Sequence, residues 1–189
     1  MQADTLGGGF AAPAHDAARV FRATMEAMAR PGTIHAVTGA RPPAPLSAAA
    51  GAALLTLCDG DTPLYLAGEA DTPETRAWIA FHCGAPLTGP AQCAFAIGPW
   101  QALLPLQAYP IGSADYPDRS ATLIVECSDL RAEGARLTGP GIREAAFLSL
   151  PDVPALQANA ARAPLGLDFL LTCGDRLAAL PRSTRIGEA

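Results

Sequence analysis

The sequence predicts a single α/β domain, and three observations carry that expectation. Helix-like and strand-like segments mix from end to end, a pattern that favours an α/β arrangement over a bundle or sandwich. The segment ATLIVEC, Ala121 to Cys127, is apolar enough to be a strand buried on both faces. No internal repeat or composition shift marks a linker, and 189 residues suit one domain that buries about 70% of its unfolded surface.

The elements follow in order. Residues 1–12, with Gly7-Gly8-Gly9, read as a flexible lead ahead of a domain spanning 13–186. Ala17, Val20, Phe21, Thr24, Met25 and Met28 recur at helical spacing, with Arg19, Arg22 and Glu26 towards the other side. Pro31-Gly32 ends this helix, because proline disfavours helical geometry in the residue before it and glycine accepts the turn. Thr33 to Val37 is extended, Arg41-Pro42-Pro43-Ala44-Pro45 is a stiff loop, and Leu46 to Leu57 is a largely apolar helix stopping at Cys58-Asp59-Gly60.

Asp61-Thr62-Pro63 turns the chain into a strand at Leu64 to Ala67. Asp71-Thr72-Pro73-Glu74 begins a helix with a capping side chain, a first-turn proline and an acid near its positive end. It runs through Trp78 and Phe81 to His82 and stops at Gly84. Gln92 to Ile97 and Ala121 to Cys127 are strands, separated by one or two helical turns at Pro99 to Leu104 and a loop from Pro105 to Ser120. A hairpin of Arg136–Thr138 and Arg143–Leu148, a helix over Pro154–Ala161, and two strands joined at Cys173-Gly174-Asp175-Arg176 complete the domain. Residues 187–189 are left as a tail.

Composition then removes whole classes of chemistry. All 13 basic residues are arginine. Without lysine the chain can form neither a Schiff base with pyridoxal phosphate nor the GK[ST] phosphate loop. A net charge of -5 argues against a nucleic-acid or anionic-membrane surface. The uncharged run from Ala77 to Ala114 is broken by five prolines, so no stretch reaches the ~18–20 apolar residues of a membrane span. It is core or interface instead, and Trp78 and Trp100 are its candidate interface aromatics. Five widely spaced cysteines, with no basic residue before Arg19 to start a signal peptide, suggest reduced thiols in the cytoplasm.

No single motif names a reaction. His82-Cys83 lacks a third ligand at a zinc-like interval, so a buried thiol beside a helix-end histidine is the expectation, with no metal site. Leu137-Thr138-Gly139-Pro140-Gly141-Ile142 could present backbone N–H groups to an anion, but a hairpin turn accounts for it more simply. Asp59 and Asp61 could hold Mg²⁺ or a substrate hydroxyl, yet Asp, Gly and Pro are also ordinary turn residues. Arg22, Arg30, Arg176, Arg182 and Arg185 are candidate anion ligands, since guanidinium grips phosphate or phosphonate bidentately. The residues themselves leave the catalytic set empty.

The ordered series is more telling. FRATMEAMARPGTI (21–34), LLTLCDGDTPLYL (54–66), FHCGAPL (81–87), ATLIVE (121–126), LTGPGI (137–142) and PLGLDFLLTCGDRLAALPRSTRI (164–186) together resemble the PhnH subunit family of the bacterial carbon-phosphorus lyase system. The resemblance implies a three-layer α/β domain with a mixed sheet, like the major domain of pyridoxal-phosphate-dependent transferases without that cofactor. It further implies a homodimer assembled with the other core subunits. That complex couples an alkylphosphonate to ribose C1 of ATP, with MgATP as a substrate of the whole assembly and loss of adenine. The role implied for this chain is structural or jointly catalytic. Two alternatives stand beside it. One is a pure assembly factor. The other is a stand-alone phosphonate or nucleotide enzyme in which Arg22, Asp59, Asp61 and Arg182 converge in a cleft.

Overall fold

A computed structural model describes residues 6–187. The chain runs α1 (Pro13–Ala29), β1 (His35–Ala36), α2 (Ala48–Leu57), β2 (Leu64–Leu66), α3 (Pro73–His82), β3 (Phe95–Pro99), β4 (Thr122–Glu126), β5 (Ala135–Thr138), β6 (Ala146–Leu148), α4 (Val153–Ala160), β7 (Asp168–Cys173), β8 (Arg176–Leu180) and β9 (Arg185–Gly187). Short 3-10 turns join several of these.

The central sheet has six strands in the order β1-β8-β7-β4-β3-β2, and β5, β6 and β9 form a separate sheet of three. Strands β2, β3, β4 and β7 are mutually parallel, while β8 is antiparallel to β7 and β1 to β8. The sheet is therefore mixed, as expected. Side chains alternate strictly across it. Ile97, Ile124, Leu170, Leu177 and Ala179 face a core shared with α1, α2 and α3, while Ala96, Leu123, Val125, Phe169, Leu171 and Ala178 face a core with the small sheet and α4. Burial on both faces explains why the strands read as continuous apolar runs.

Helix starts follow the local chemistry. Ser47 Oγ accepts from the N–H of Ala50 at 3.2 Å, Thr72 Oγ1 from Thr75 at 3.0 Å, and the Asp152 carboxylate from Ala155 at 3.0 Å. Asn159 of α4 both donates to and accepts from the backbone of Leu167, each at 2.9 Å, which fixes α4 to the chain entering β7.

Four expectations need correction. The outer part of the α1 pattern is not core: Val20, Thr24 and Ala27 are buried, but Phe21 and Met25 are 50% and 52% exposed. One helix face cannot sit on both α2 and solvent, and α2 with β8 covers only the Val20 side. Residues 6–12 are docked rather than loose. Trp78 Nε1 donates to the Gly7 carbonyl at 2.9 Å, His82 Nε2 lies 3.0 Å from the Leu6 carbonyl, and Arg41 N donates to Gly8 O at 2.7 Å. Gly8 has φ +84°, and a Cβ there would lie 1.9 Å from the Arg41 carbonyl oxygen, so a glycine is required. The strand placed at Gln92 begins only at Phe95, because Pro90–Gln92 forms a 3-10 turn. Gly187, placed in a tail, ends β9, which pairs with β5; residues 1–5 and 188–189 lie outside the described set.

The LTGPGI turn also has a structural explanation. Ile142 N donates to Gly139 O at 3.1 Å, and Gly141, at φ +79°, sits against the last turn of α1. A Cβ on Gly141 would lie 1.9 Å from the Ala29 carbonyl oxygen. The glycine thus lets the turn between β5 and β6 touch the end of α1, and two motifs far apart in sequence meet there.

Candidate functional site

Open sheets of parallel strands leave crevices beyond their carboxyl ends, and here that edge carries two clefts that share one carboxylate. Glu126 is the last residue of β4, where an otherwise buried strand reaches the rim. Its Oε1 accepts from the backbone N–H of Ser47, the cap of α2, at 2.7 Å, and its Oε2 accepts from the Thr172 hydroxyl at 3.1 Å. Burial raises the Glu126 pKa from the ordinary glutamate value, against the opposing pull of its bonds to Ser47 and Thr172. The carboxylate therefore ties α2, β4 and β7 together at a price in solvation.

One cleft, about 310 Å³, is lined by Leu46, Ser47, Glu69, Pro99, Glu126 and Gly174 among others. The second, about 290 Å³, lies beside it, with Trp100, Glu126, Ser128, Asp129 and Ser149 on its walls. Cys127 and Ser128 border both. Neither lining contains a basic residue, and carboxylates of Glu69, Glu126 and Asp129 ring the space. Such walls suit hydroxyl, amino or cationic groups and repel a phosphate or phosphonate. No group of three or more His, Cys, Asp or Glu residues among the described residues could hold a metal ion.

The residues selected from sequence do not converge. Arg22 is exposed on the outer face of α1. Asp59 builds its own turn: its Oδ1 accepts from Asp61 N at 3.0 Å and from the Thr62 hydroxyl at 2.7 Å, and these bonds, the hydroxyl's first, lower its pKa. Asp61 is exposed in that turn. Arg182 is engaged by Asp168 through a short bidentate pair and by the Pro117 carbonyl at 2.6 Å. The Asp59–Asp61 turn precedes β2 and Arg182 follows β8, which puts both at the amino-end edge of the parallel strands, opposite Glu126. Four strand spacings of about 4.8 Å separate β2 from β8, roughly 19 Å. Trp78 and Trp100 are 0% and 5% exposed, so they are core and not a subunit surface. Their packing inside the chain uses the apolar area that an interface would need.

Sequence reasoning missed Glu126. A signal was present: it is the one charged residue in a strand otherwise apolar enough to be buried on both faces. Its partners, Ser47 and Thr172, lie 79 and 46 residues away, and nothing local announces them.

An open α/β domain with a cleft at the carboxyl edge of its sheet defines a broad structural class. Within it, the sequence model described as bacterial phosphonate metabolism protein (PhnH) matches residues 8–187, and the chain belongs to that family. It is 40% identical to the alpha-D-ribose 1-methylphosphonate 5-triphosphate synthase subunit PhnH of Rhizobium meliloti (strain 1021), over 98% of this chain and 97% of the relative. It is also 37% identical, over 43% of this chain and 45% of the relative, to HtxG of Stutzerimonas stutzeri, a protein named for a C-P lyase subunit. No helix among the described residues is long and apolar enough to cross a membrane.

Proposed function

We propose that this chain is a subunit of the carbon-phosphorus lyase core assembly and takes part in forming ribose 1-alkylphosphonate 5-triphosphate from ATP and an alkylphosphonate. The full-length match to a synthase subunit carries this reading. Its role is structural or jointly catalytic. The acidic clefts and the scattered arginines support dependence on partner subunits for binding the anionic parts of MgATP and phosphonate. The stand-alone enzyme loses its proposed cleft, because Arg22 lies on the outer face of α1 and the Asp59–Asp61 turn and Arg182, though on one edge of the sheet, stand four strand spacings apart.

Likeness to the transferase major domain is part of the same proposal. A mixed sheet covered by α1, α2 and α3 on one face and by α4 with the small sheet on the other supports it. The cofactor of those transferases does not fit: the chain has no lysine to form the internal aldimine. An aldimine absorbance band in purified protein would contradict this.

We place the homodimer contact on the outer face of α1. Phe21 and Met25 border a groove of about 520 Å³ together with Arg22 and Glu26. Two copies crossing antiparallel on this stripe bring Arg22 of one protomer to Glu26 of the partner subunit, a charge pairing that a two-fold axis satisfies twice. Five unpaired cysteines are in keeping with a cytoplasmic location.

Co-expression with the other core subunits tests the assignment. The chain should co-purify in a stable complex, and Phe21→Glu should abolish self-association without loss of folding. A chain that stays monomeric and binds none of the subunits would refute it.

A further inference from the structure

We propose that Cys127 and Cys173 form a peroxide-responsive dithiol at the carboxyl edge of the sheet, a modification site that closes to an intrachain disulfide beside the two clefts. The first ground is register. Glu126 and Thr172 are partners on the adjacent parallel strands β4 and β7, and Cys127 N donates to Thr172 O at 2.8 Å. The next residue on each strand is a cysteine, so the two sit side by side. Neighbouring strands run about 4.8 Å apart, inside the Cα separation of about 4.4–6.8 Å that a disulfide spans.

The second ground is direction. Glu126 and Thr172 bond to each other on one face, and both cysteines pack against the core on the opposite face, with Leu171 and Val125. Both are part-exposed, whereas Cys58 and Cys93 are buried. The third ground is a cation in the same row. Arg176 is the β8 partner of Cys173, and its Nη2 donates to Cys173 Sγ at 3.7 Å while Nη1 donates to the Leu130 carbonyl at 2.7 Å. The guanidinium thus places a charged donor directly against the Cys173 sulfur.

Roles follow from these surroundings. Cys173, beside Arg176, attacks first: its thiolate displaces hydroxide from a peroxide, the O–O bond breaks and an S–O bond forms. The product is a sulfenic acid, and the hydroxide leaves as water after protonation. Cys127 then attacks that sulfur, an S–S bond forms, the S–O bond breaks and a second water leaves. Two electrons pass from the sulfurs to one peroxide, so two thiols and one hydrogen peroxide give one disulfide and two waters. Burial pushes the Cys127 thiol up to about 12, so it stays a thiol while Cys173 meets the peroxide, and its proton leaves with the sulfenic hydroxide as the second water. Because Cys127 borders both clefts, closing the bond alters their shared wall. This inference stands independently of the assembly reading.

The test treats reduced full-length protein with hydrogen peroxide, blocks remaining thiols and maps non-reduced peptides by mass spectrometry. A Cys127–Cys173 peptide should be the dominant cross-link. Cys127→Ala should stop at a dimedone-trapped sulfenic acid on Cys173, and Cys173→Ala should give neither product. Should a variant fail to fold, phenylarsine oxide on the reduced wild-type chain provides a second measurement, since one arsenic bridging two adjacent sulfurs protects both from alkylation. Both thiols remaining alkylatable after peroxide, a Cys58–Cys83 link in their place, or no protection by the arsenical would overturn the proposal.

Discussion

Replacing Glu126 separates its two contributions, charge and hydrogen bonding. In Glu126→Ala the Ser47 N–H loses its acceptor at 2.7 Å, while the Thr172 hydroxyl keeps the Val125 carbonyl at 3.2 Å. One orphaned donor that had bonded a charged group costs about 1.5–3 kcal/mol, and that is the expected loss at neutral pH. Glu126→Gln behaves differently. Its carbonyl can accept from Ser47, and its amide can donate to the Thr172 oxygen, which still donates to Val125. The geometry is kept and the buried charge is gone, so stability should stay within about 1 kcal/mol of wild type.

The pH dependence gives the sharper sign. Burial raises the folded-state pKa of Glu126, so the folded protein holds this proton to higher pH than the unfolded chain. Stability from this group is then full below the unfolded value, about 4.3, and declines as pH rises through the folded value. Glu126→Gln lacks that decline, and its stability relative to wild type should rise over the same window and then level off. Urea denaturation of the three proteins across a pH series measures this. Equal pH slopes for wild type and Glu126→Gln, or a glutamine variant as weak as the alanine one, would refute the reasoning.

Three further outcomes follow from the packing. Deleting residues 1–9 removes the Gly7 acceptor of the Trp78 indole and should cost about 1–2 kcal/mol, with a red shift in tryptophan emission. Gly141→Ala, forced against the Ala29 carbonyl at positive φ, should cost more than about 2 kcal/mol in thermal or urea unfolding. Asp168→Asn breaks a pair whose side chains are only 15–16% exposed, and should lower stability by about 2–3 kcal/mol in urea unfolding.

Much of the fold was legible because local signals and burial agreed. Thr72-Pro73 starts α3, the apolar ATLIVEC run is the central β4, and the Cys173–Arg176 turn joins β7 to β8. What failed depended on distant partners. A short polar strand such as β9 exists only because β5 offers its edge and Gln157 Nε2 donates to the Ile186 carbonyl at 2.9 Å. The glycine-rich lead read as loose because nothing local shows Arg41 and Trp78 waiting for its carbonyls. Phe21 and Met25 kept helical spacing with Val20, but periodicity cannot say which part of a wide apolar face its neighbours will cover. The site was least legible of all. Arg22, Asp59, Asp61 and Arg182 stand out as members of the family-like segments, but Asp59 is committed to its own turn and Arg182 to Asp168 across the fold.

ATP-dependent activation of an alkylphosphonate by the reconstituted core assembly tests the proposed subunit role most directly. With this chain present the assembly should consume ATP and phosphonate and release adenine; without it, activity should be lost, and the chain alone should have none. Full activity in its absence would contradict the account.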